Sequence, residues 1–456
     1  MASERGSMAQ AAEDSRRTLG LWSTTSLVVG HTLAVGIFLT PAEMIGALGA
    51  PALTLGLWLA CGAIVLAGAL TFGELAARYP QAGGPYVYLR EGWGERIAFL
   101  YGWQSLLVMD PGLTAALATG LSQYLVVLWP IAAGSEELLA IVAVWTLTLL
   151  NMSGLTFSAR VLGLLTVLKL LALAAIVLTA FVFGDGSWSH FVPFAARRPG
   201  APSLDEALAL GLVGTFFSFG GFWEASRVAG EVREPGRNLP LALALGVGCV
   251  TLAYVVTTVA FMYLVPPEQV TSAVEFARRA GEAMLGDTGP PMLAAVVVVS
   301  VAASAMALLL MAPRLYVAMS RDGLFPPGLA AVRPGTQTPA GAMVLLACLA
   351  SVYVLAGTFE QIVAFFLCTT LGFIALAAAA LFVVRQREPD VMAFRSPGYP
   401  GGPALFVLLI GAVVGLVAVA RPVQALAGFA LVLLGLPAYR MLPLSAHRRP
   451  PSSGSW

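Results

Sequence analysis

Charged side chains are scarce in this chain. Only 11 % of its 456 residues are Asp, Glu, Lys or Arg, whereas 58 % are hydrophobic, and the mean hydropathy is +0.85. Soluble globular proteins carry about 25 % charged residues, so the composition excludes an ordinary soluble domain and predicts an integral membrane protein. The net charge of +1 gives no reason to expect a nucleic-acid partner.

Cysteine and histidine are also rare, which narrows the available chemistry. A nucleophilic or metal site at membrane depth would need several such groups together, and His31 is the one histidine placed in mid-membrane. We therefore expect no cofactor, and an intramembrane enzyme is a remote alternative. All four cysteines fall within apolar runs, where we expect small core residues rather than a disulfide framework. They are Cys61, Cys249, Cys348 and Cys368.

The amino-terminal segment lacks the apolar core of a signal peptide. Residues 1–18, "MASERGSMAQAAEDSRRT", are polar and predict a cytoplasmic tail. Residues 441–456 predict a second tail, so that residues 19–440 are expected to form the membrane domain.

Long apolar runs, by contrast, are abundant. A bilayer crossing takes about 20 mostly apolar residues. Dividing the runs at Pro, Gly and charge clusters predicts an all-α membrane protein with twelve spans. These lie near 20–44, 50–77, 96–128, 138–154, 160–184, 206–229, 239–265, 291–320, 338–356, 360–384, 403–420 and 423–440.

The arginine positions predict the orientation. If both termini are cytoplasmic, the inside segments hold nineteen arginines and the outside segments hold five. Positive charge is enriched on the cytoplasmic side of membrane proteins. We therefore expect a multi-pass protein of the plasma (inner) membrane with both ends in the cytoplasm.

Two of the predicted spans, the first and the sixth, are interrupted by glycine. The interruptions are "VGHTLAVGIF" (29–38) and "FFSFGGFWEAS" (216–226). The two interrupted spans stand five spans apart, and five is an odd number. If residues 19–184 and 206–384 are repeats, the second repeat is therefore inverted in the membrane, and residues 403–440 add two further helices. Matched Gly-interrupted segments in two halves indicate the central site of a secondary transporter. The alternative is that these glycines only let helices pack closely.

The chemistry of a helix break predicts what such a site binds. A break leaves backbone N–H and C=O groups unpaired, which is tolerated where a ligand or water completes them. The N–H groups suit a carboxylate and the carbonyls suit an ammonium, and an α-amino acid carries both. The predicted carboxylate ligands are the N–H groups of Ala34, Val35 and Gly36, and the predicted amine ligands are carbonyls of His31 or Thr32 with Phe217, Ser218 and Gly220.

Four motifs follow one another along the chain: "TFGELAARYPQAGGPYVYLREGWGERIAFLYGW" (71–103), "AGEVREPGRNLP" (229–240), "PRLYVAMSRDGLFP" (313–326) and "FRSPGYPGGP" (394–403). In this order they resemble motifs of the amino acid–polyamine–organocation transporters, especially their L-type branch. The resemblance covers about residues 18–440. It implies twelve helices with five-plus-five inverted repeats and two further helices. It also implies amino-acid uptake or exchange by alternating access.

The sequence departs from that family in three places. The first-span signature, usually Gly-Ser/Ala-Gly-Ile-Phe, is "AVGIF" (34–38) here, which lacks the hydroxyl and adds bulk. His31 stands where the family commonly has a small or hydroxyl residue. In the eukaryotic L-type proteins, a cysteine between spans three and four links a heavy subunit. No cysteine lies between Cys61 and Cys249, so we expect no disulfide-linked heavy subunit and a monomer or weak homo-oligomer.

Lys169 is the sole lysine of the chain and falls inside the fifth predicted span. A charged lysine at mid-membrane costs about 2.5–3.5 kcal/mol on insertion scales, which favours a function over a snorkelling residue. It matches the lysine of span five in the L-type branch, where the ammonium resembles a built-in substitute for a sodium ion. We expect it to bind carbonyls of the broken first span between Gly30 and Val35. Whether it cycles a proton or stays charged is left open.

Two other polar residues at depth have competing interpretations. Asp110 precedes Pro111 in the third span, where related proteins often carry a basic residue. It could bind a cationic substrate group or take part in proton coupling, or it could pair with an ion or with the backbone freed by Pro111. His31 could titrate beside the site, or it could be a neutral ring that caps the broken helix, which we favour.

Aromatic residues near the second break suggest a gate and a pocket. In the family, Phe217 occupies the position of the aromatic gate, and Trp223 lies where the substrate side-chain pocket is expected; ordinary packing is the alternative for both. Glu74 and the adjacent Arg321 and Asp322 are expected to secure the inward gate.

The predicted function is sodium-independent transport of neutral amino acids, small to medium and apolar, by an exchanger or a proton-coupled carrier. Asp110 keeps cationic amino acids or polyamines as the alternative, and a channel is disfavoured because no filter motif occurs. The preference for neutral substrates rests on the bulk of Val35, Phe217, Phe219, Phe222 and Trp223.

Overall fold

The part of the chain that the computed structural model describes is mostly helical. Within that part, the β-structure amounts to two isolated bridges, Leu19 with Val232 and Arg333 with Thr338. The predicted tails fall almost wholly outside it. The described residues are 17, 19–33, 36–81, 83–270, 272–333, 335–336, 338–389 and 394–441.

Seventeen α-helices follow one another along the described residues. They are α1 (Leu21–Thr32), α2 (Gly36–Leu48), α3 (Pro51–Arg78), α4 (Pro85–Trp93), α5 (Glu95–Gln104), α6 (Asp110–Leu128), α7 (Glu136–Met152), α8 (Leu155–Val182), α9 (Leu204–Phe219), α10 (Pro235–Leu264), α11 (Ala273–Leu285), α12 (Gly289–Arg321), α13 (Ala340–Ala356), α14 (Phe359–Arg387), α15 (Gly401–Ala420), α16 (Pro422–Leu433) and α17 (Gly435–Met441).

Shorter helical segments join several of these helices. One π-helical turn, Ser105–Met109, connects α5 to α6 without interrupting the rod. The 3₁₀ segments are Pro130–Ala132, Trp188–Phe191, Phe222–Glu231, Pro267–Gln269, Gly286–Thr288 and Pro327–Ala330.

Each predicted apolar run coincides with a helix, a broken helix or a pair of joined helices, with ends that agree within about five residues. Nine helical segments among the described residues are long and apolar enough to cross a membrane. The α1–α2 pair, α7 and α13 fall outside that group, because each is interrupted or no longer than 17 residues. The chain is an integral membrane protein built from α-helices.

Helices distant in sequence pack against one another in the interior. α2 packs against α9, α3 against α10, α6 against α12, and α7 against α13. Small residues allow the close approaches: a Cβ on Gly73 of α3 would lie 2.8 Å from the Cα of Pro240 of α10. Close backbone packing through small residues is typical of membrane helices, where lipid is as apolar as the protein interior.

Two predictions about individual residues need correction. Arg227 is one of the nineteen arginines that the orientation argument assigns to the inside segments, but it is buried in the 3₁₀ helix Phe222–Glu231 and pairs with Glu224. Cys249 and Cys348, expected in the core, are exposed on the helix surface. The reason is shared: a hydropathy profile records apolarity along the chain, but it does not record which face of a helix meets lipid and which meets protein.

An ion-pair network closes the side of the molecule where α3 and α14 end. Glu74 is fully buried and accepts hydrogen bonds from Arg385 at 2.8 and 2.5 Å, from Arg78 at 3.2 Å and from the N–H of Ser396 at 2.7 Å. The Arg385 guanidinium also stacks on Tyr399, 3.7 Å from the ring centre. These contacts tie the two helix ends to the segment that precedes α15.

Candidate functional site: two helix breaks and the cavity between them

The first break separates α1 from α2. α1 ends at Thr32 and α2 begins at Gly36, so the interruption lies where the glycine pattern predicts it. Ala34 and Val35, predicted to offer N–H groups to a carboxylate, lie outside the described residues. The carbonyls at the end of α1 have lost their helical partners and need others.

Lys169 of α8 supplies that partner. Its Nζ donates to the carbonyl of Gly30 at 2.6 Å, to the carbonyl of Leu33 at 2.5 Å and to Ser304 Oγ at 3.1 Å. The side chain is 3 % exposed. The predicted contact between the sole lysine and the carbonyls of the broken first span is therefore present. Ser304 of α12 completes the shell, and the sequence analysis missed it.

The second break follows α9 and depends on the backbone conformation of one glycine. α9 ends at Phe219, and Gly221 has φ +104°, in the left-handed region that disfavours any residue with a Cβ. The chain then continues as the ten-residue 3₁₀ helix Phe222–Glu231. Such long 3₁₀ runs are uncommon and often mark a functional hinge.

The two breaks contact each other directly. A Cβ on Gly36 would lie 2.3 Å from Ser218 Oγ, so glycine is required for this approach. Ser218 Oγ also lies 2.8 Å from Thr40 Oγ1. The buried hydroxyl of Tyr254 is 2.9 Å from the carbonyl of Thr32 and 2.6 Å from that of Ser218, so its single proton is shared between the two breaks. Both carbonyls were predicted to bind the substrate amine, and both already have this donor.

A small cavity of about 40 Å³ lies beside the paired breaks. It is mostly apolar, with a few polar groups that converge on it, as ligand sites usually are. Its lining consists of His31, Met109, Leu113, Leu117, Phe217, Gly220, Gly221, Trp223, Glu224, Ser304, Leu308, Phe366, Leu367 and Thr370.

The predicted site residues divide into two groups. His31, Phe217, Gly220 and Trp223 line the cavity. His31 Nε2 is buried and has no hydrogen-bond partner among the described residues. The other predicted site residues that the structure describes do not line the cavity and are buried around it: Thr32, Gly36, Ser218, Asp110 and Lys169.

Further cavities lie on either side of the central one. Phe217 also lines a cavity of about 70 Å³ toward the end of α2, and its ring lies 6.3 Å from that of Phe366. His31 also lines a larger cavity of about 400 Å³ toward the start of α1, in which Glu231 and Arg314 lie 3.9 Å apart. The central cavity thus shares Phe217 with the first of these cavities and His31 with the second.

Asp110 lies at a local irregularity of the third predicted span. Pro111 has no N–H, so the carbonyl of Leu107 loses its helical partner, and the hydroxyl of Tyr353 donates to it. Asp110 is fully buried and accepts a hydrogen bond from Tyr316 at 2.6 Å. It therefore serves neither as the partner of the freed backbone nor as part of the cavity lining.

A buried ion pair beside the cavity was missed by the sequence analysis. Glu224 lines the cavity, and its Oε2 lies 2.9 Å from Arg227 Nε, although the two are not aligned as a hydrogen bond. Arg227 Nη2 donates to Tyr101 at 3.1 Å. The signal was present, because a Glu and an Arg directly after a helix break at membrane depth are costly unless they are used. The described residues include no group of His, Cys, Asp and Glu that could hold a metal ion.

Comparison with known proteins agrees with this geometry. A family model described as "Amino acid permease" matches residues 19–436. The chain is 28 % identical to the human cystine/glutamate transporter over 93 % of its own length and 85 % of that protein. It is 26 % identical to a serine/threonine exchanger of Bacillus subtilis (strain 168), covering 93 % of this chain and 96 % of the exchanger. It is 28 % identical to the human large neutral amino acids transporter small subunit 2, covering 93 % and 80 %.

The family match covers nearly the whole helical domain, including both breaks and Lys169. The match decides between a transporter and an intramembrane enzyme, because permeases are transporters and not enzymes. On this match, the chain belongs to the amino acid permease family.

Proposed function

We propose that this permease is a sodium-independent secondary transporter of amino acids that works by alternating access in the plasma membrane, with both termini cytoplasmic. The observation that carries the proposal is the position of Lys169. Its ammonium binds two carbonyls of the first break and one hydroxyl of α12, at 2.5–3.1 Å. A resident cation at this point removes the need for a bound metal ion to hold the break open.

The architecture we propose is twelve spans, with residues 19–184 and 206–384 as inverted repeats and 403–440 as two added helices. Counting broken helices as single spans, the packing of α2 on α9, α3 on α10, α6 on α12 and α7 on α13 pairs each of spans one to four with the span five positions later. Such pairing is expected of repeats related by a twofold axis in the membrane plane. Residues 1–18 and 441–456 are then cytoplasmic tails.

In this proposal the substrate occupies the central cavity. The N–H groups after the first break, from 34–36, receive the carboxylate. The carbonyls of His31 and Gly220 receive the amine. Those of Thr32 and Ser218 already accept from Tyr254, and that of Phe217 accepts from the N–H of Gly220. Phe217 is the gate toward the end of α2, which supports the family interpretation because it lines the cavities on both sides.

The lining favours neutral amino acids with small to medium apolar side chains. Met109, Leu113, Leu117, Leu308 and Leu367 surround the space for the side chain. The alternative of a cationic substrate bound by Asp110 is less favourable, because that carboxylate is held by Tyr316 outside the lining. The relatives are named for different substrates, namely cystine and glutamate, serine and threonine, and large neutral amino acids, so the substrate preference is argued from the lining of this chain.

We further propose that the protein acts without a disulfide-linked heavy subunit, as a monomer or weak homo-oligomer. Among the described residues the four cysteines are free, and none lies between the third and fourth spans.

The test uses purified protein in proteoliposomes. Radiolabelled neutral amino acids should enter vesicles preloaded with unlabelled amino acid, saturably, at the same rate in sodium and in choline buffer. A thermal-shift screen of the twenty amino acids and several polyamines should select the substrates to label. Stabilisation by polyamines or arginine alone would favour the cationic alternative.

Empty vesicles and vesicles with heat-inactivated protein provide the controls. A strict sodium requirement would overturn the role given to Lys169, and uptake that never saturates would indicate a channel rather than a carrier.

A further inference from the structure

The cavity toward the start of α1 already has the size of a small-molecule site. We call it the inner cavity, and its lining includes Leu27, His31, Leu162, Glu231 and Arg314. Its volume is about 400 Å³, whereas the central cavity has about 40 Å³ and the cavity toward the end of α2 has about 70 Å³. Small-molecule sites usually have volumes of about 300–1,000 Å³. The central cavity must therefore widen before it holds a whole amino acid, but the inner cavity need not.

Two opposite charges lie on the wall of the inner cavity. Glu231 ends the 3₁₀ helix Phe222–Glu231, and Arg314 belongs to α12. Glu231 Oε1 and Arg314 Nη1 are 3.9 Å apart, which is too far for a hydrogen bond, and the two side chains are 52 % and 38 % exposed. Within the described part of the chain, neither side chain makes a hydrogen bond. The carboxylate oxygens and the guanidinium N–H groups can therefore bind a ligand in the cavity.

The competing explanation is an ion pair that only holds two helices together. The network around Glu74 shows what such a pair looks like in this protein: Glu74 is fully buried, and Arg385 donates to it at 2.8 and 2.5 Å. The pair of Glu231 and Arg314 differs in every respect, because it is partly exposed, lacks a hydrogen bond and borders a large cavity. A partly exposed ion pair of this kind contributes little to stability.

The two charges are complementary to those of an α-amino acid. Its ammonium can donate to the carboxylate of Glu231, and its carboxylate can accept two hydrogen bonds from the planar guanidinium of Arg314. Both contacts are charge-assisted hydrogen bonds, whereas the present pair has only an attraction across 3.9 Å. Leu27, Leu162 and Leu310 line the same cavity and suit an apolar side chain.

We propose that the inner cavity is a second amino-acid site, in which Glu231 binds the ammonium and Arg314 binds the carboxylate. In the proposed topology the start of α1 is cytoplasmic, so this site lies between the central cavity and the cytoplasm. His31 lines both cavities, and the substrate passes this side chain between them. A cytoplasmic amino acid is captured here before exchange, and an imported one is held here before release. This rests on the proposed function and adds a site to it.

The experiment measures exchange in right-side-out membrane vesicles from cells that express the protein. The probe is the amino acid that stabilises the purified protein most in the thermal-shift screen. Uptake of external label is measured while the internal concentration is varied at saturating external concentration, and then the reverse. Each series gives a half-saturation concentration for one face of the membrane. These concentrations do not depend on how much folded protein a preparation contains.

Glu231→Gln and Arg314→Gln are two independent arms of the test. Each should raise the half-saturation concentration of the inner face about fivefold or more, because one partly exposed charge-assisted contact is lost. The value for the outer face should stay unchanged. Glu234→Gln and Arg237→Gln are the matched controls: these two residues also lie 3.9 Å apart, close by in the chain, but they do not line the inner cavity. Both constants should be unchanged in the controls.

A charge-swapped protein separates a binding site from a simple ion pair. Glu231→Arg combined with Arg314→Glu keeps the attraction between the two positions but exchanges the places of the two charges. The ammonium and carboxylate of a substrate would then have to exchange places relative to the leucines of the lining. The inner half-saturation concentration should therefore stay raised in the double variant.

The outcomes distinguish this site from the function on which it rests. Saturable exchange with an unchanged inner constant in both single variants would overturn the second site and leave the transporter intact. A normal inner constant in the charge-swapped protein would also overturn it, in favour of an ion pair. Equal increases at both faces would contradict the position of the site on the cytoplasmic side. Absence of saturable exchange by the wild type would instead reject the proposed function.

Discussion

The two helix breaks both interrupt a helix near glycine residues, but they are stabilised in different ways. At the first break, the freed carbonyls are held by an ammonium from another helix, Lys169 of α8. At the second, Gly221 adopts a left-handed backbone conformation and the chain continues as a 3₁₀ helix. The first break thus depends on a charge that is distant in sequence, whereas the second depends on a conformation encoded locally.

This difference suggests a division of labour. A break stabilised by a side chain can change shape when that side chain moves, because the carbonyls it binds belong to a separate helix. A break stabilised by a glycine backbone is a property of its own segment and persists as neighbours move. We therefore expect the first break to be the more sensitive to substitution of its partner, and the second to substitution of its own glycine.

The largest effect should follow from changing Lys169. In Lys169→Ala the carbonyls of Gly30 and Leu33 lose their donor, at about 1–3 kcal/mol for each buried group. Lys169→Arg should fail as well, because a planar guanidinium cannot place one compact charge among the three oxygens. Uptake per folded molecule should fall at least tenfold, with protein yield less affected. Leu168→Met, at the adjacent lipid-facing position, is the control, and near-normal transport in both lysine variants would remove the role assigned to the ammonium.

A large effect is also expected at the contact between the breaks. In Gly36→Ala the new Cβ would lie 2.3 Å from Ser218 Oγ and 2.8 Å from its Cα, so the helices must separate. Overpacking of this kind costs about 1–3 kcal/mol. Gly46→Ala is the matched control on the same half-helix, since no atom lies within 4 Å of its Cβ position. The midpoint temperature of thermal unfolding should be lower for Gly36→Ala than for the wild type and unchanged for Gly46→Ala. If the two variants had the same midpoint temperature, the two breaks would not be in contact.

The second break is tested by Gly221→Ala. The residue has φ +104°, and a Cβ would approach His31 Nδ1 to 3.2 Å, so backbone strain of about 1–3 kcal/mol is expected. Gly248→Ala, on α10 with open space around its Cβ, controls for the methyl group itself. Uptake should drop several-fold in the first variant alone. If Gly221→Ala were harmless, the claim that this break is encoded by its own glycine would be wrong.

The smallest effect should come from the group that joins the two breaks. Tyr254→Phe removes the hydroxyl shared by the carbonyls of Thr32 and Ser218 and keeps the ring. A loss of about 1–2 kcal/mol is expected from the unpaired carbonyls, seen as a modest fall in unfolding temperature. Tyr263→Phe, near the end of the same helix, is the control. An effect as large as that of Lys169→Ala would show that the two breaks behave as one unit.

Much of the fold could be predicted from the sequence, because lipid imposes a simple rule on it. Each predicted apolar run corresponds to one or two helices, and both interruptions fall where the glycine pattern places them. The contact of Lys169 with the first break could be expected because one lysine in a membrane chain has few plausible partners. The cavity lining was predicted only in part, since Thr32 and Ser218 do not line it and their carbonyls accept hydrogen bonds from the Tyr254 hydroxyl.

The sequence by itself determined that this is a helical membrane protein with two matched breaks and one exceptional cation, since each of these follows from local composition. Only the tertiary structure decided which polar groups meet, because the partners are far apart in the chain: Lys169 and Gly30 are separated by 139 residues, and Tyr254 and Thr32 by 222. It also decided which apolar faces meet lipid, as the exposed Cys249 shows. A helix face that meets lipid is as apolar as one that meets protein. Packing and hydrogen bonds between helices therefore decide which face meets which.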